Sequence, residues 1–179
     1  MIPFTLRKTK GSPLTHDELD TNFEKSLFPP FLHIQDQKPA TVQSGTFTAG
    51  AWRTRDLNTV LTNTIDGTSL SDNQITLIAG RYYVESSAPA YNVEKHKIRL
   101  FNITKNEYEL IGTIEYCSTT NNRSFLSGQI SINDNNILRL EHRCRVSQSN
   151  IGFGGGQATD FGIYETYSDI KIWRIGDTD

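Results

Sequence analysis

Residues 136–146 read NILRLEHRCRV, and the alternation within them decides the fold. Leu138, Leu140, His142, Cys144 and Val146 fall on one side of an extended chain, and Arg139, Glu141, Arg143 and Arg145 on the other. A period of two is that of a β-strand with one face in a core. Just ahead stands Asn133-Asp134-Asn135-Asn136, residue types that tolerate positive φ, so a hairpin back onto QISI (129–132) is expected. One Asp among amides is too few carboxylates for a dedicated calcium loop.

Working outward from that strand, short β-branched and aromatic stretches recur between clusters of Gly, Asn, Asp and Ser. Strands are expected near 43–49, 51–60, 74–79, 81–89, 96–103, 108–117, 123–132, 136–146 and 161–175. That number and spacing predict a mainly β, antiparallel two-sheet jelly-roll sandwich over residues 41–179.

Residues 1–40 are of another kind and are expected to form an N-terminal arm with a helix over about 16–27. Thr15 and Glu18 have capping-box spacing, and Leu14 and Leu19 stand where a hydrophobic staple would. Asp17 and Glu18 suit the positive end of the helix dipole, Lys25 the negative end, and Pro29-Pro30 stops the run. Leu19, Phe23 and Leu27 recur every fourth residue, a narrow apolar seam on a helix too short to persist alone in water. The seam must be covered. Its cover is another protein, further copies of the chain, or the chain's own β domain; Leu14, Leu19, Phe23 and Leu27 are the expected anchor and oligomer contacts.

The 179 residues carry a formal charge of -2 at a pI near 6.1, and no basic run exceeds Arg7, Lys8 and Lys10. A nucleic-acid partner is therefore not expected. No stretch reads as a signal peptide or membrane span, so a soluble product without membrane insertion is expected. Cys117 and Cys144 are expected in strands as buried free thiols, with one inter-strand bridge as the alternative. G-x-S-x-G, H-E-x-x-H, P-loop and C-x-x-C patterns are missing from the sequence, and no catalytic, metal or cofactor site is expected. His16, His33, His96 and His142 lack the spacing of a metal pair, and His142 is read as a core or interface residue.

Two surface features invite a recognition role. Arg139, Arg143 and Arg145 form a cationic stripe for an anionic sugar or phosphate, although Glu141 among them points to a salt-bridged face. IGFGGGQATDFG (151–162) precedes a strand and not a helix, so it is no phosphate cradle; Gly154, Gly155 and Gly156 read as an exposed flexible loop. Trp52, Tyr83, Tyr91, Tyr116, Tyr164 and Tyr167 are read first as core and interface aromatics, and second as sugar platforms.

KGSPLTHDELDTNF (10–23) resembles the GSPLT-x-x-E-x-D-x-NF signature near the N-termini of tailed-bacteriophage structural proteins, matched here by Gly11, Ser12, Pro13, Leu14, Thr15, Glu18, Asp20, Asn22 and Phe23. TFTAGAWRTRDLNTV (46–60), LIAGRYYVESSAPAYNVEKHKIRLFNIT (77–104), IGTIEY (111–116), RSFLSGQISI (123–132) and LRLEHRC (138–144) resemble phage fibre and tail proteins whose outer domain is a jelly roll of the tumour-necrosis-factor and complement-globular-head type. The resemblance implies a non-enzymatic, homotrimeric virion fibre, spike or tip made in a bacterial host's cytoplasm. It also implies an arm attached to other virion proteins and a sandwich displayed for adhesion to a host-surface glycan. The alternatives are a capsid or tail decoration without a ligand, and an enzyme acting on surface polysaccharide; for the latter nothing comes nearer to a convergent carboxylate pair than Glu165 and Asp169, whose even spacing puts both on one exposed strand face.

Overall fold

In a computed structural model, residues 5–155 and 161–178 are described. The first helical turn, α1 (Arg7–Lys10), ends at Gly11 in the left-handed region (φ 72°). Helix α2 spans His16–Leu27 and starts on the expected capping box. The Thr15 hydroxyl accepts from the Glu18 N–H at 3.2 Å, and the Glu18 carboxylate accepts from the Thr15 N–H at 2.7 Å. Lys10 pairs with the same carboxylate. That ammonium and the Thr15 backbone amide hold the Glu18 carboxyl below its ordinary range. Asn22 grips the backbone of Thr5 at both its N–H (3.0 Å) and its carbonyl (2.8 Å), so α1 and α2 form one small folded arm.

Twelve strands follow: β1 (Phe31–Lys38), β2 (Arg53–Thr54), β3 (Thr59–Asn63), β4 (Ser69–Ser71), β5 (Gln74–Leu77), β6 (Gly80–Tyr91), β7 (Glu94–Asn102), β8 (Glu107–Ile111), β9 (Glu115–Cys117), β10 (Asn121–Ile132), β11 (Asn136–Cys144) and β12 (Glu165–Gly176). They build the expected antiparallel sandwich. One sheet has five strands in the order β10-β6-β12-β1-β3. The other has seven, with the path β4-β5-β11-β7-β8, β2 beside β11 and β9 beside β7. Inward residues of both sheets, among them Leu32, Ile34, Val84, Ile98, Leu100, Leu138, Leu140, Ile170 and Ile172, are sealed into one core.

The sandwich begins earlier than expected. Residues 31–38 belong to it as β1, inside the five-stranded sheet between β12 and β3. Leu32, Ile34 and Asp36 point inward, so an inward carboxylate interrupts an otherwise readable alternation. Asp36 is tolerated because Lys38 reaches it at 3.1 Å, while burial raises its pKa.

Other boundaries shift for local reasons. The stretch 43–49 is no strand and holds only the bridges Gly45–Ile151 and Phe47–Gln148. The expected strand 51–60 divides at Arg55, whose side chain dives into the interior. The strand 108–117 divides at Gly112, where a Cβ would lie 2.8 Å from the Phe125 carbonyl oxygen. The last strand starts at Glu165 and not 161.

The expected hairpin at 133–136 does not form. Strands β10 and β11 lie in different sheets, and this turn carries the chain across the sandwich. None of its four residues has positive φ, which the two-residue hairpin requires. Asn136 instead accepts from Asn102 at 2.7 Å and donates to the Asp134 carbonyl at 2.8 Å. The tight hairpin is Asp72-Asn73, with φ of 51° and 62°, between β4 and β5. Among the described residues, no helix is long and apolar enough to cross a membrane.

Candidate binding surfaces

The helix seam is bare in the protomer. Leu19, Phe23 and Leu27 are 44%, 70% and 66% exposed, and Phe28 at the helix end is 79% exposed. Leu14 is half-buried. Among the described residues, the side-chain hydrogen bonds of α2 stay within the arm. The capping box fixes where the helix starts, and nothing in those bonds fastens its apolar side.

The outer face of the five-stranded sheet carries a row of rings. Phe31, Trp173 and Tyr83 are register partners across β1, β12 and β6, with ring centroids 4.9 Å and 6.0 Å apart. One rung along, His33 meets both Asp169 oxygens at 3.0 and 3.2 Å, and Gln35 donates to the second of them at 3.2 Å. Asp169 is thus engaged within the sheet and is no free member of a catalytic carboxylate pair. A groove of about 610 Å³ on this side includes Glu85, Phe125, Asp169 and Lys171 in its lining.

The cationic stripe is on the outer face of the seven-stranded sheet, and its arginines differ. Arg139 is neutralised: its guanidinium and that of Arg99 both hold Glu141, at 2.5 and 2.6 Å. Glu141, expected exposed, is only 1% exposed under these two cations. Arg99 is itself sandwiched by rings, 4.2 Å from the Trp52 centroid and 4.5 Å from that of Phe101. Arg143 is exposed and makes no ion pair among the described residues, while Arg145 meets Glu94 at 3.3 Å. Val146, expected inward, is past the strand end and 42% exposed.

The glycine stretch is packed where it is described. Phe153 stacks on Phe47 at 4.4 Å, and Arg55 lies 4.3 Å over the same Phe153 ring. Arg55 also donates to the Phe153 carbonyl and to the Ser168 hydroxyl, each at 3.0 Å. Burial drags this guanidinium down to about 10, against the opposing pull of Asp36 and Asp56, so it stays cationic at neutral pH. Gly154 is buried, not exposed: its φ is +118° and a Cβ there would sit 2.4 Å from Pro89. Gly155 is half-buried and donates to the Asn121 side chain at 2.6 Å, and Gly156 lies outside the described residues. The sequence signal for close packing was the glycine spacing itself, since each missing side chain admits a neighbour.

Behind this loop is a buried imidazole pair. His96 Nδ1 and His142 Nε2 are 2.9 Å apart, and the outer nitrogens, His96 Nε2 and His142 Nδ1, have no hydrogen-bond partner among the described residues. Desolvation pulls His96 down to about 4 and His142 well below the ordinary value, so both rings are neutral at pH 7. Cys117 and Cys144 are buried free thiols in the apolar cluster around Phe47, on whose ring His142 packs. They are on β9 and β11, with β7 between; two strand spacings, about 9.6 Å, exceed the reach of a disulfide. Burial pushes the Cys144 thiol up to about 11, which makes it inert. Among the described residues, no group of three or more His, Cys, Asp or Glu could hold a metal ion.

No protein-family model matches the chain, and no curated protein matches it in sequence. Solved structures do match in shape. Eiger TNF from S. frugiperda superposes with a TM-score of 0.55 at 14% identity, over 85% of this chain and 96% of that one. Murine APRIL gives 0.54 at 9% identity, over 83% and 100%. The globular domain of zebrafish Complement 1qA protein gives 0.53 at 12% identity, over 83% and 99%. The sandwich is therefore a TNF-like jelly roll, with the short N-terminal helices set before it.

Proposed function

We propose that the chain is a non-enzymatic structural protein of a tailed-bacteriophage virion: a homotrimeric fibre, spike or tip whose arm docks on other virion proteins and whose sandwich is displayed for host-surface glycan adhesion. The observation that carries this reading is the seam of Leu19, Phe23 and Leu27, bare in the protomer on a helix with written start and stop. A 12-residue helix is marginal in water, and full burial of three such side chains contributes about 5–8 kcal/mol of association. The similarity of residues 10–23 to the phage signature supports a tailed-phage virion as the particle. The ring row of Phe31, Trp173 and Tyr83 is the face on which three copies would meet, since aromatic residues are enriched at self-association surfaces. Several linked sites would then let weak glycan contacts add up.

The test is the full-length variant Leu19→Ser/Phe23→Ser/Leu27→Ser. It should keep the wild-type mass in light scattering, that of a trimer, and fail to enter particles. Incorporation at the wild-type level would overturn the docking role, and a monomeric wild-type mass would overturn the trimer. A ligand-free decoration protein is the second reading; saturable binding to host cells separates the two. The polysaccharide-hydrolase alternative is disfavoured by Asp169, which His33 and Gln35 already hold.

A further inference from the structure

Strands β7 and β11 share one outer face, and the charges along it divide into two halves. In one half Arg99 is opposite Glu141, and Arg139 reaches the same carboxylate. In the other, cations face cations. Lys97 is the direct register partner of Arg143, and one rung on, the Arg145 N–H bonds to the Lys95 carbonyl. Like charges directly opposite one another on a sheet are destabilising. Glu94 answers only Arg145, at 3.3 Å; Lys95, Lys97 and Arg143 make no ion pair among the described residues. The four cations line one open cleft of about 470 Å³, with Trp52, Gly50 and the 64%-exposed Ile114 as its apolar part.

We propose that this cleft binds an acidic saccharide, with one carboxylate or sulfate group seated on each of the two cationic rungs and a sugar ring against Trp52 and Ile114. The idea names the ligand class for the displayed sandwich and rests on the adhesion reading above. Strand spacing and the two-residue repeat set the backbone positions that carry these cations about 5 Å by 7 Å apart, close enough for neighbouring anionic groups of one chain to bridge both rungs. Nucleic acid fits less well. The cationic patch ends after two rungs at Glu141, and Arg99 already covers one face of the Trp52 ring, whereas strand-tracking sites extend a charged groove with successive stacking rings.

Calorimetric titration of the full-length protein tests this with four probes: an oligogalacturonate hexamer, a sulfated hexasaccharide, neutral maltohexaose and a thymidylate hexamer. At least one acidic saccharide should saturate one site per chain, weaken as salt is raised, and bind better than the other two; which one does distinguishes carboxylate from sulfate. Lys97→Glu and Arg143→Ser should each lower that affinity at least tenfold. Lys97→Glu should also leave the melting temperature unchanged or raised, because it turns a like-charge rung into an opposite-charge one, so lost binding cannot be lost folding. Undiminished binding in both variants, or no binding of either acidic probe, would overturn the proposal. Equal binding of maltohexaose would overturn the acidic class while leaving glycan adhesion standing, and equal or tighter binding of the thymidylate would replace saccharide by nucleic acid.

Discussion

Within twenty residues the chain lays down two apolar patterns that meet opposite fates. In α2, Leu19, Phe23 and Leu27 recur every fourth position and are 44–70% exposed; in β1, Leu32 and Ile34 recur every second position and are at most 1% exposed. The difference is in the partners. A strand inside a sheet is flanked by β12 and β3 and faced by a second sheet, so its own chain completes its environment. The helix has a capping box and an Asn22 clamp along its polar side but no described cover for its seam. The sealed sandwich therefore starts at Phe31, and the seam that precedes it is left bare in the protomer.

The largest expected effect is on the covered side. Ile34→Ala should cost about 2–5 kcal/mol of stability, read as a large fall in melting temperature; a fall no greater than that of a surface change would remove the contrast. Acid should come next. Because the folded pKa values of His96 and His142 are depressed, the unfolded chain binds the extra protons. Their contribution is complete above about 6.5, the ordinary value, and is lost as pH falls toward the folded value of about 4 for His96. The melting temperature should drop over that window, and the double variant His96→Gln/His142→Gln should flatten the dependence. Thr15→Ala should lower helix content at a cost of about 1 kcal/mol to α2, visible in far-ultraviolet dichroism and not in the melting of the sandwich. The smallest effect belongs to the bare seam: its triple serine variant should shift sandwich melting by no more than about 0.5 kcal/mol.

Much of the architecture was legible because its signals are local. Thr15, Glu18 and Pro29-Pro30 delimit α2 without help from elsewhere, and the alternation of Leu138, Leu140, His142 and Cys144 places β11 by itself. The misreadings share a cause, which is that a distant partner decided the outcome. Asp36 broke the pattern of β1 because Lys38 and the buried Arg55 compensate it. Arg55, a charged residue in what read as a continuous strand, turned inward because carbonyl and ring acceptors await it at Phe153. The turn at 133–136 had hairpin chemistry, yet the register of β10 with β6 sent it across the sandwich. The arginine stripe was visible as a stripe, but which of its members is free depends on Lys97, Arg99 and Glu94, all some 40 residues or more away.

Amide hydrogen exchange on the isolated full-length protein sets the bare helix directly against the sealed strand. The account predicts that amides of residues 16–27 exchange within seconds to minutes while those of Leu32 and Ile34 stay protected for hours. Helix amides as slow as those of β1 would contradict it, for the seam would then already be covered without any partner.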